Sequence, residues 1–472
     1  MEYPAKIRRA ALIIASMSSF LTPFMGSSIN VAAPSIQGEF NIDTATVSWV
    51  ATAYLLAAAM FLVPFGKVAD IHGRKRIYRY GILIDTAATV FCAMSISAPW
   101  LISFRFLQGF GDAMIFGTSI AILIAVYPPK QRGKALGIST ASTYIGLSIG
   151  PFLGGILTQN LGWRSAFIFI LILDLVIIVA LFSLLKGEWV GAEGEKFDSI
   201  GSTLYGLTIL TVILGFTLLP SVLALWSIGA GVAGLLAFII RESRTRYPVL
   251  DMKFFRHNAT FAFSNLAALI NYSATFAVSF LMSLYLQNVR GFDSQYAGLI
   301  LVSQPIMMAV FSPLAGWVSD RVEPRIVSSL GMAVTAGGLY FLSLTGADTA
   351  LSYIIASLMF LGLGFAFFSS PNTNAVMSSI DRNYYGVASA TLGTMRLVGQ
   401  SLSLGIATMF FSLVIGGVLP FDSGYPALLT ESMKLLFATF AVLCFIGIFA
   451  SLARGKVRGK RSSLEASPKM KN

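Results

Sequence analysis

The sequence predicts an all-α membrane protein with fourteen transmembrane helices, arranged as two six-helix bundles plus two inserted spans. Three observations carry that expectation. Of 472 residues, 56% are hydrophobic and only 11% are charged, whereas a soluble domain carries about a quarter charged residues. Apolar runs of roughly 18 or more residues, long enough to cross a bilayer core, recur along the whole chain. The loop after the second run, "PFGKVADIHGRKR", returns after the tenth as "PLAGWVSDRVEPR", so the chain repeats itself.

Taken in order, the spans are expected at about 10–33, 46–65, 78–97, 101–126, 135–158, 164–185, 200–219, 222–240, 259–286, 294–316, 326–345, 350–371, 386–415 and 432–453. No signal-peptide cleavage site follows the first run, so it is expected to stay as a span. With the N-terminus in the cytoplasm, 28 of the 33 Lys and Arg fall on the cytoplasmic side. Arg164, Arg290 and Lys434 lie outside, and Arg105 and Arg396 lie within spans. That asymmetry sets the orientation by the positive-inside rule, and gaining or losing one span would scramble it.

The expected organisation is an N-terminal bundle (1–186), a linker with the two inserted spans (187–240), a cytoplasmic link (241–258), a C-terminal bundle (259–454) and a cytoplasmic tail (455–472). The protein is expected to be a monomer in the plasma (cytoplasmic) membrane, multi-pass, with both termini cytoplasmic. The net charge of +12 tracks a membrane surface, so no nucleic-acid partner is expected. Cys92 and Cys444 lie in apolar runs without motif spacing and read as packing residues. His72 and His257 fall in loops and receive no role. Nothing resembles a nucleotide-phosphate loop, a catalytic triad or a metal-ligand cluster. We therefore expect no enzyme activity, cofactor or metal, and an energy source in an ion gradient.

In the repeated loop Gly66 aligns with Gly316, Asp70 with Asp320, and Arg74 with Pro324 beside Arg325. A glycine permits close backbone approach. An acid at a helix end can pair with cations such as Arg74 or Arg321 or cap a neighbour, and labile pairs of this kind suit a gate. Gly66, Asp70, Gly73, Arg74, Gly316, Asp320, Arg321 and Arg325 are the expected gating residues; a plain basic turn that fixes topology is the simpler alternative.

In the fourth span, "RFLQGFGDAMIFG", Arg105, Gln108, Asp112 and Ser119 fall within about 60° on a helical wheel. Gly109, Ala113 and Gly117 form a small-residue stripe beside them. Asp112 lies ~16 Å below the outer end, near mid-membrane. An ionised carboxylate facing lipid there would cost ~2.5–3.5 kcal/mol, so the stripe should face protein or water. Arg105 and Asp112 are ~10 Å apart along the axis, too far for direct contact unless both side chains reach toward each other; a water or Gln108 could bridge them. A carboxylate balanced between burial and a nearby cation suits proton transfer; a structural hydrogen bond is the alternative. Asp85, about two turns from the cytoplasmic end and within reach of Arg79, reads as structural. Asp174 also reads first as structural, but, near the midplane, it is the better functional candidate of the two. In the fifth span Gly146, Gly150, Gly154 and Gly155 form a glycine face, and Pro151 permits a kink. Asn30, Asn265, Asn271, Tyr272, Gln304, Asn372, Arg396 and Gln400 are polar candidates for a cavity, or for bonds across helices.

Several stretches look familiar together. "GKVADIHGRKR" and "RFLQGFG" resemble loop and span-4 signatures of the major facilitator superfamily, and "GLSIGPFLGG" resembles its span-5 antiporter signature. "WVATAYLL", "GWRSAF" and "GVASATLGTMRLVGQ" match further, and fourteen spans are similar to the drug:proton antiporter subfamily of the QacA/EmrB type. The resemblance implies the major facilitator fold, a proton-linked role for Arg105, and export rather than uptake from the span-5 glycines. The chain departs from the family in placing Met25 where a span-1 acid is common. It also has Ile170 and Ile172 where Asn and Pro are usual.

The expected function is proton-coupled efflux of small lipophilic or cationic compounds, by rocking two bundles about a midplane site. A metabolite facilitator or symporter of the same superfamily is the first rival. A membrane-embedded lipid handler or non-transporting receptor is the second.

Overall fold

Apolar runs broken by Gly, Pro and charged turns become, among the described residues, fourteen long helices in a computed structural model. It describes residues 3–455 apart from 193, 220, 251, 253, 254, 257, 381–384, 417, 419–421 and 423. His257 and the tail from 456 onward therefore lie outside the described residues. The first half comprises α1 (Ala5–Phe40), α2 (Thr44–His72), α3 (Arg74–Ala93), α4 (Ala98–Val126), α5 (Pro129–Leu161) and α6 (Arg164–Leu184). Next come α7 (Ser199–Thr217) and α8 (Val222–Glu242). The second half opens with α9, which runs through Ala259–Thr275 and Ala277–Leu284 into a π-turn, Tyr285–Val289. It continues with α10 (Ser294–Leu301 and Ser303–Arg321), α11 (Pro324–Ser343), α12 (Leu351–Ser378), α13 (Tyr385–Phe410, then a π-turn) and α14 (Tyr425–Ala453). The break in α10 at Val302 has a local cause, because Pro305 has no N–H to offer the carbonyl four residues back.

Thirteen of these helices are long and apolar enough to cross a membrane. The fourteenth, α3, is 20 residues long, or about 30 Å, but Arg74, Lys75, Arg76, Arg79 and Asp85 dilute its hydropathy. Its boundaries also differ from expectation. Because α3 begins at Arg74, Asp85 lies in mid-helix and is buried, not near an interface with Arg79.

Within the first half α1 packs on α5, and α4 on both α2 and α3. In the second, α12 packs on α10 and α11, while α9 packs on α13 and α14. The two halves meet along α2–α13, α5–α10 and α1–α9. The inserted hairpin α7–α8 lies against α2 and α13 through α7. Asp198 fixes its base by accepting from the Gly201 N–H at 2.9 Å and pairing with Arg241 at 2.7 Å. Outward-facing Val222, Leu225, Trp226, Leu236 and Ile240 remain exposed on α8. An apolar belt of that kind needs lipid, so the chain is a multi-pass membrane protein.

Helix ends define two faces: one carries the start of α1 and the end of α14 (the terminal face), and the other is the far face. At the far face the halves are joined. Thr44 bonds Tyr425 at 2.9 Å, Ser48 bonds Thr408 at 2.6 Å, and Gln287 donates to the Val31 carbonyl at 2.9 Å. There α5 crosses α10 at glycines: a Cβ on Gly298 would collide with the Pro151 carbonyl oxygen, and one on Gly155 would come within 2.5 Å of the Ser294 carbonyl oxygen. Gly146, Gly150 and Gly154 instead abut α1 at Phe20, Ser27 and Ser28.

Candidate functional site

A cavity of about 340 Å³ lies between the halves, on the terminal-face side of that seal. Eight helices, four from each half, supply its wall. Asn30 and Thr22 come from α1, Tyr54 from α2, Asp112 from α4, and Thr143, Tyr144 and Pro151 from α5. The second half contributes Tyr272, Gln304, Phe365, Arg396 and Gln400. The wall thus mixes aromatic faces with a few polar groups, the usual make-up of a small-molecule site.

The polar stripe of α4 faces inward as expected: Arg105, Gln108, Asp112 and Ser119 are all buried. Asp112 lies at the midpoint of α4. Its carboxylate accepts from the Tyr54 hydroxyl at 2.6 Å and from Thr22 at 2.9 Å. Arg105 donates to the Val50 carbonyl at 2.9 Å and to Gln108 at 2.5 Å, and Gln108 donates to Thr89 at 2.8 Å. The guanidinium carbon sits 4.3 Å from the Tyr54 ring centroid, a cation–π contact worth ~0.5–2 kcal/mol. The link between Arg105 and Asp112 is therefore Tyr54, with the cation on its ring and the carboxylate on its hydroxyl, and not Gln108 or a bridging atom along α4. Tyr54 was legible only as part of "WVATAYLL". Removing its hydroxyl in Tyr54→Phe leaves Asp112 with Thr22 as donor. Because a hydrogen bond to a charged group is worth ~1.5–3 kcal/mol, we expect Tyr54→Phe to unfold in detergent a few degrees below wild type, read by thermal denaturation.

Behind Asp112 is a second, small pocket of about 20 Å³ lined by Asp85, Asp112, Asp174, Thr22 and Met25. Met25, at the place of the absent span-1 acid, thus faces the same space as Asp174.

Other candidates separate. Arg396 is on the cavity wall, its guanidinium carbon 5.6 Å from the Tyr272 ring centroid. Asn265, Asn271 and Asn372 are buried off the wall, which corrects their expected place in the cavity. Asn265 donates to Phe261 on its own helix, and Asn271 points at Cys444. Asn372 bonds the Ser264 carbonyl and accepts from the buried Arg454 at 2.9 Å. A short polar side chain is drawn to whichever buried partner its helix face meets, and these faces meet neighbouring helices.

The two repeated loops also differ. Arg74 pairs with Asp70 at 2.8 Å and donates to the Ala121 carbonyl on α4 at 3.1 Å. Gly73 has φ +111°, and a Cβ there would meet Glu188. The linker straps this loop: the Asp70 carbonyl accepts from Gly191 and Ala192, Trp189 accepts from the Arg74 N–H, and Lys67 pairs with Glu195 at 2.5 Å. Gly66 has open space where a Cβ would stand, so no close approach requires it here. In the second loop Asp320 accepts from Asn374 at 3.2 Å, Arg321 lies over Trp317, Gly316 faces Ser370, and the Nε of Arg325 is buried without a partner.

Comparison with known proteins accords with this architecture. The profile described as Major Facilitator Superfamily matches residues 15–404 and, in a second placement, 264–469. The chain belongs to that superfamily. Its relatives include the riboflavin transporter RibZ of Clostridioides difficile (strain 630), 27% identical over 93% of this chain and 96% of that one. The cephamycin export protein CmcT of Amycolatopsis lactamdurans is 29% identical over 84% and 83%. The multidrug resistance protein Stp of Mycobacterium tuberculosis (strain H37Rv) is 28% identical over 84% and 74%. Among solved facilitators, a bacterial homologue of the human lysosomal transporter Spinster, inward-facing and unoccupied, superposes with a TM-score of 0.66 at 19% identity, covering 96% of this chain and 98% of that one. A POT family transporter in complex with 5-aminolevulinic acid gives 0.70 at 14%, covering 93% and 94%. These two likenesses concern the fold alone.

Proposed function

We propose that this facilitator exports lipophilic compounds in exchange for protons, by alternating access about the central cavity. The carrying observation is Asp112: a carboxyl group at the midpoint of a span, on the wall of a cavity shared by both halves, with hydroxyl donors but no cation within salt-bridge distance among the described residues. A group so placed can take a proton when the cavity opens to one side and release it when it opens to the other. On the positive-inside assignment the terminal face is cytoplasmic. The cavity then faces the cytoplasm, the loading state of an exporter, with the α5–α10 crossing at Gly155 and Gly298 closing its far end. Aromatic walls suit lipophilic bodies, and the cephamycin exporter and Stp support an export role by relationship.

One observation favours a narrower second reading. The amides of Asn30, Gln304 and Gln400 give the wall enough polarity to recognise one particular metabolite, and the relative named for riboflavin points the same way.

The test uses purified protein in proteoliposomes, an imposed pH gradient, and a panel of neutral, anionic and cationic aromatic compounds. We expect at least one to move against its own gradient and to stop when an uncoupler is added. Movement unaffected by the uncoupler would overturn proton coupling, and no movement of any compound would overturn the export reading.

A further inference from the structure

Three buried carboxyl groups from three helices converge in the first half, and the cavity-facing one is only the most visible. Asp85 (α3), Asp112 (α4) and Asp174 (α6) all line the pocket of about 20 Å³. That volume holds about one water. Asp174 is 1% exposed. Its carboxyl group meets that of Asp85 side chain to side chain, yet its Oδ2 receives no hydrogen bond from any described residue. Two facing carboxyl groups form a hydrogen bond only if one of them carries a proton, and a buried carboxylate oxygen with no donor is otherwise left with its full desolvation cost.

The charges around the cluster limit it further. Arg105 is the cation supplied by α4, and Tyr54 of α2 stands between it and Asp112. From α3 come Tyr78, bonded to Ser18 at 2.5 Å, and the buried Cys92. The α1 wall offers only the hydroxyls of Ser18 and Thr22 beside apolar groups, and α5 contributes nothing to the pocket. One cation cannot hold three neighbouring carboxylates ionised in a dry interior, so the acids must share protons.

We propose that Asp174, paired with Asp85, is a second proton-binding site in exchange with Asp112, so that the titrating unit is a three-acid cluster and not a single carboxyl group. In the exchange an O–H bond on Asp112 breaks, its proton passes to a water in the pocket, and that water gives a proton to Asp174. No redox partner is needed, and the negative charge moves in the opposite direction. This rests on the reading of Asp112 as the cavity-facing proton carrier. It also supplies what the Met25 position lacks, an acid reaching the same space from another helix.

The test counts protonated carboxyl groups directly by infrared difference spectroscopy on the full-length protein in detergent, with no substrate present. The carboxylic C=O band is titrated in wild type, Asp174→Asn, Asp85→Asn and Asp112→Asn. We expect wild type to lose the band in more than one step, and Asp174→Asn and Asp85→Asn each to lose a step while size-exclusion profiles stay wild-type. Protons released per substrate bound, read with a pH dye, should fall about twofold in Asp174→Asn. A single-step titration in wild type, or identical titrations in wild type and both variants, would overturn the proposal even if transport is proton-driven. Conversely, a multi-step titration without proton-driven transport would overturn proton coupling through Asp112 and leave the cluster standing. A variant that fails to fold is replaced by Asp174→Glu, which keeps the acid and should keep both steps.

Discussion

Asp112→Asn is expected to abolish proton-driven accumulation of substrate in vesicles, by at least about a hundredfold, while leaving substrate binding and substrate–substrate exchange close to wild type. The argument starts from geometry. Tyr54 donates to one carboxylate oxygen and Thr22 to the other; in asparagine one hydroxyl still donates to the amide oxygen, and the other can turn to accept from the amide NH2, because a hydroxyl is both donor and acceptor. The substitution therefore removes a titratable proton while both hydroxyls keep a partner, and the fold should persist. What disappears is the ability to exist in two charge states, which is the coupling itself. An ionised acid at this depth is costly unless wet or bonded, so on the proposed mechanism Asp112 changes its proton occupancy as the cavity changes its exposure. The measurement is proton influx accompanying efflux, by an internal pH dye, set beside the exchange rate. Wild-type coupled flux in a folded Asp112→Asn protein would remove Asp112 from the mechanism.

Gly298→Val should have the second largest effect, and it acts on conformation rather than chemistry. A Cβ at Gly298 collides with the Pro151 carbonyl oxygen. Because this is backbone on a packed helix, it cannot swing aside. Overpacking of this kind costs ~1–3 kcal/mol, which by population arithmetic moves a two-state equilibrium about 5- to 150-fold away from the state with the far face closed. We expect spin labels at the exposed Leu161 (α5) and Tyr296 (α10) to move apart across the far face, with transport slowed in proportion. An unchanged distance distribution together with wild-type rates would show that the crossing does not govern closure.

How much was legible in the sequence follows from which interactions are local. The α4 stripe and the α5 glycine face are properties of single helices; the stripe is buried, whereas the glycines divide between α1 and α10. The span register was readable from charge, although α3 starts at Arg74 and carries Asp85 deeper than the apolar window implied. Sequence periodicity is silent on which neighbour a buried amide meets, so Asn265, Asn271 and Asn372 were indistinguishable from Asn30, and only Asn30 reached the cavity. Tyr54 was hidden for a similar reason. Its importance comes from a ring under Arg105 and a hydroxyl on Asp112, two contacts between α2 and α4 that no spacing within α2 reports. The strap from Glu188 to Glu195 rests largely on backbone carbonyls of the repeated loop and on contacts remote in sequence.

The inserted hairpin makes the two seams between the halves unequal. Along α2–α13, helix α7 lies over the join, with the Tyr205 hydroxyl bonded to the Ala59 carbonyl at 2.9 Å. The α5–α10 seam has no such cover. A compound dissolved in the bilayer can reach a central binding chamber sideways, through a gap between helices, as well as from water. Here the α2–α13 way in is shut by the chain's own extra helices. On the proposed export of lipophilic compounds, lipid-borne cargo would enter by another seam or the aqueous mouth, so the membrane meets this transporter as a lopsided object.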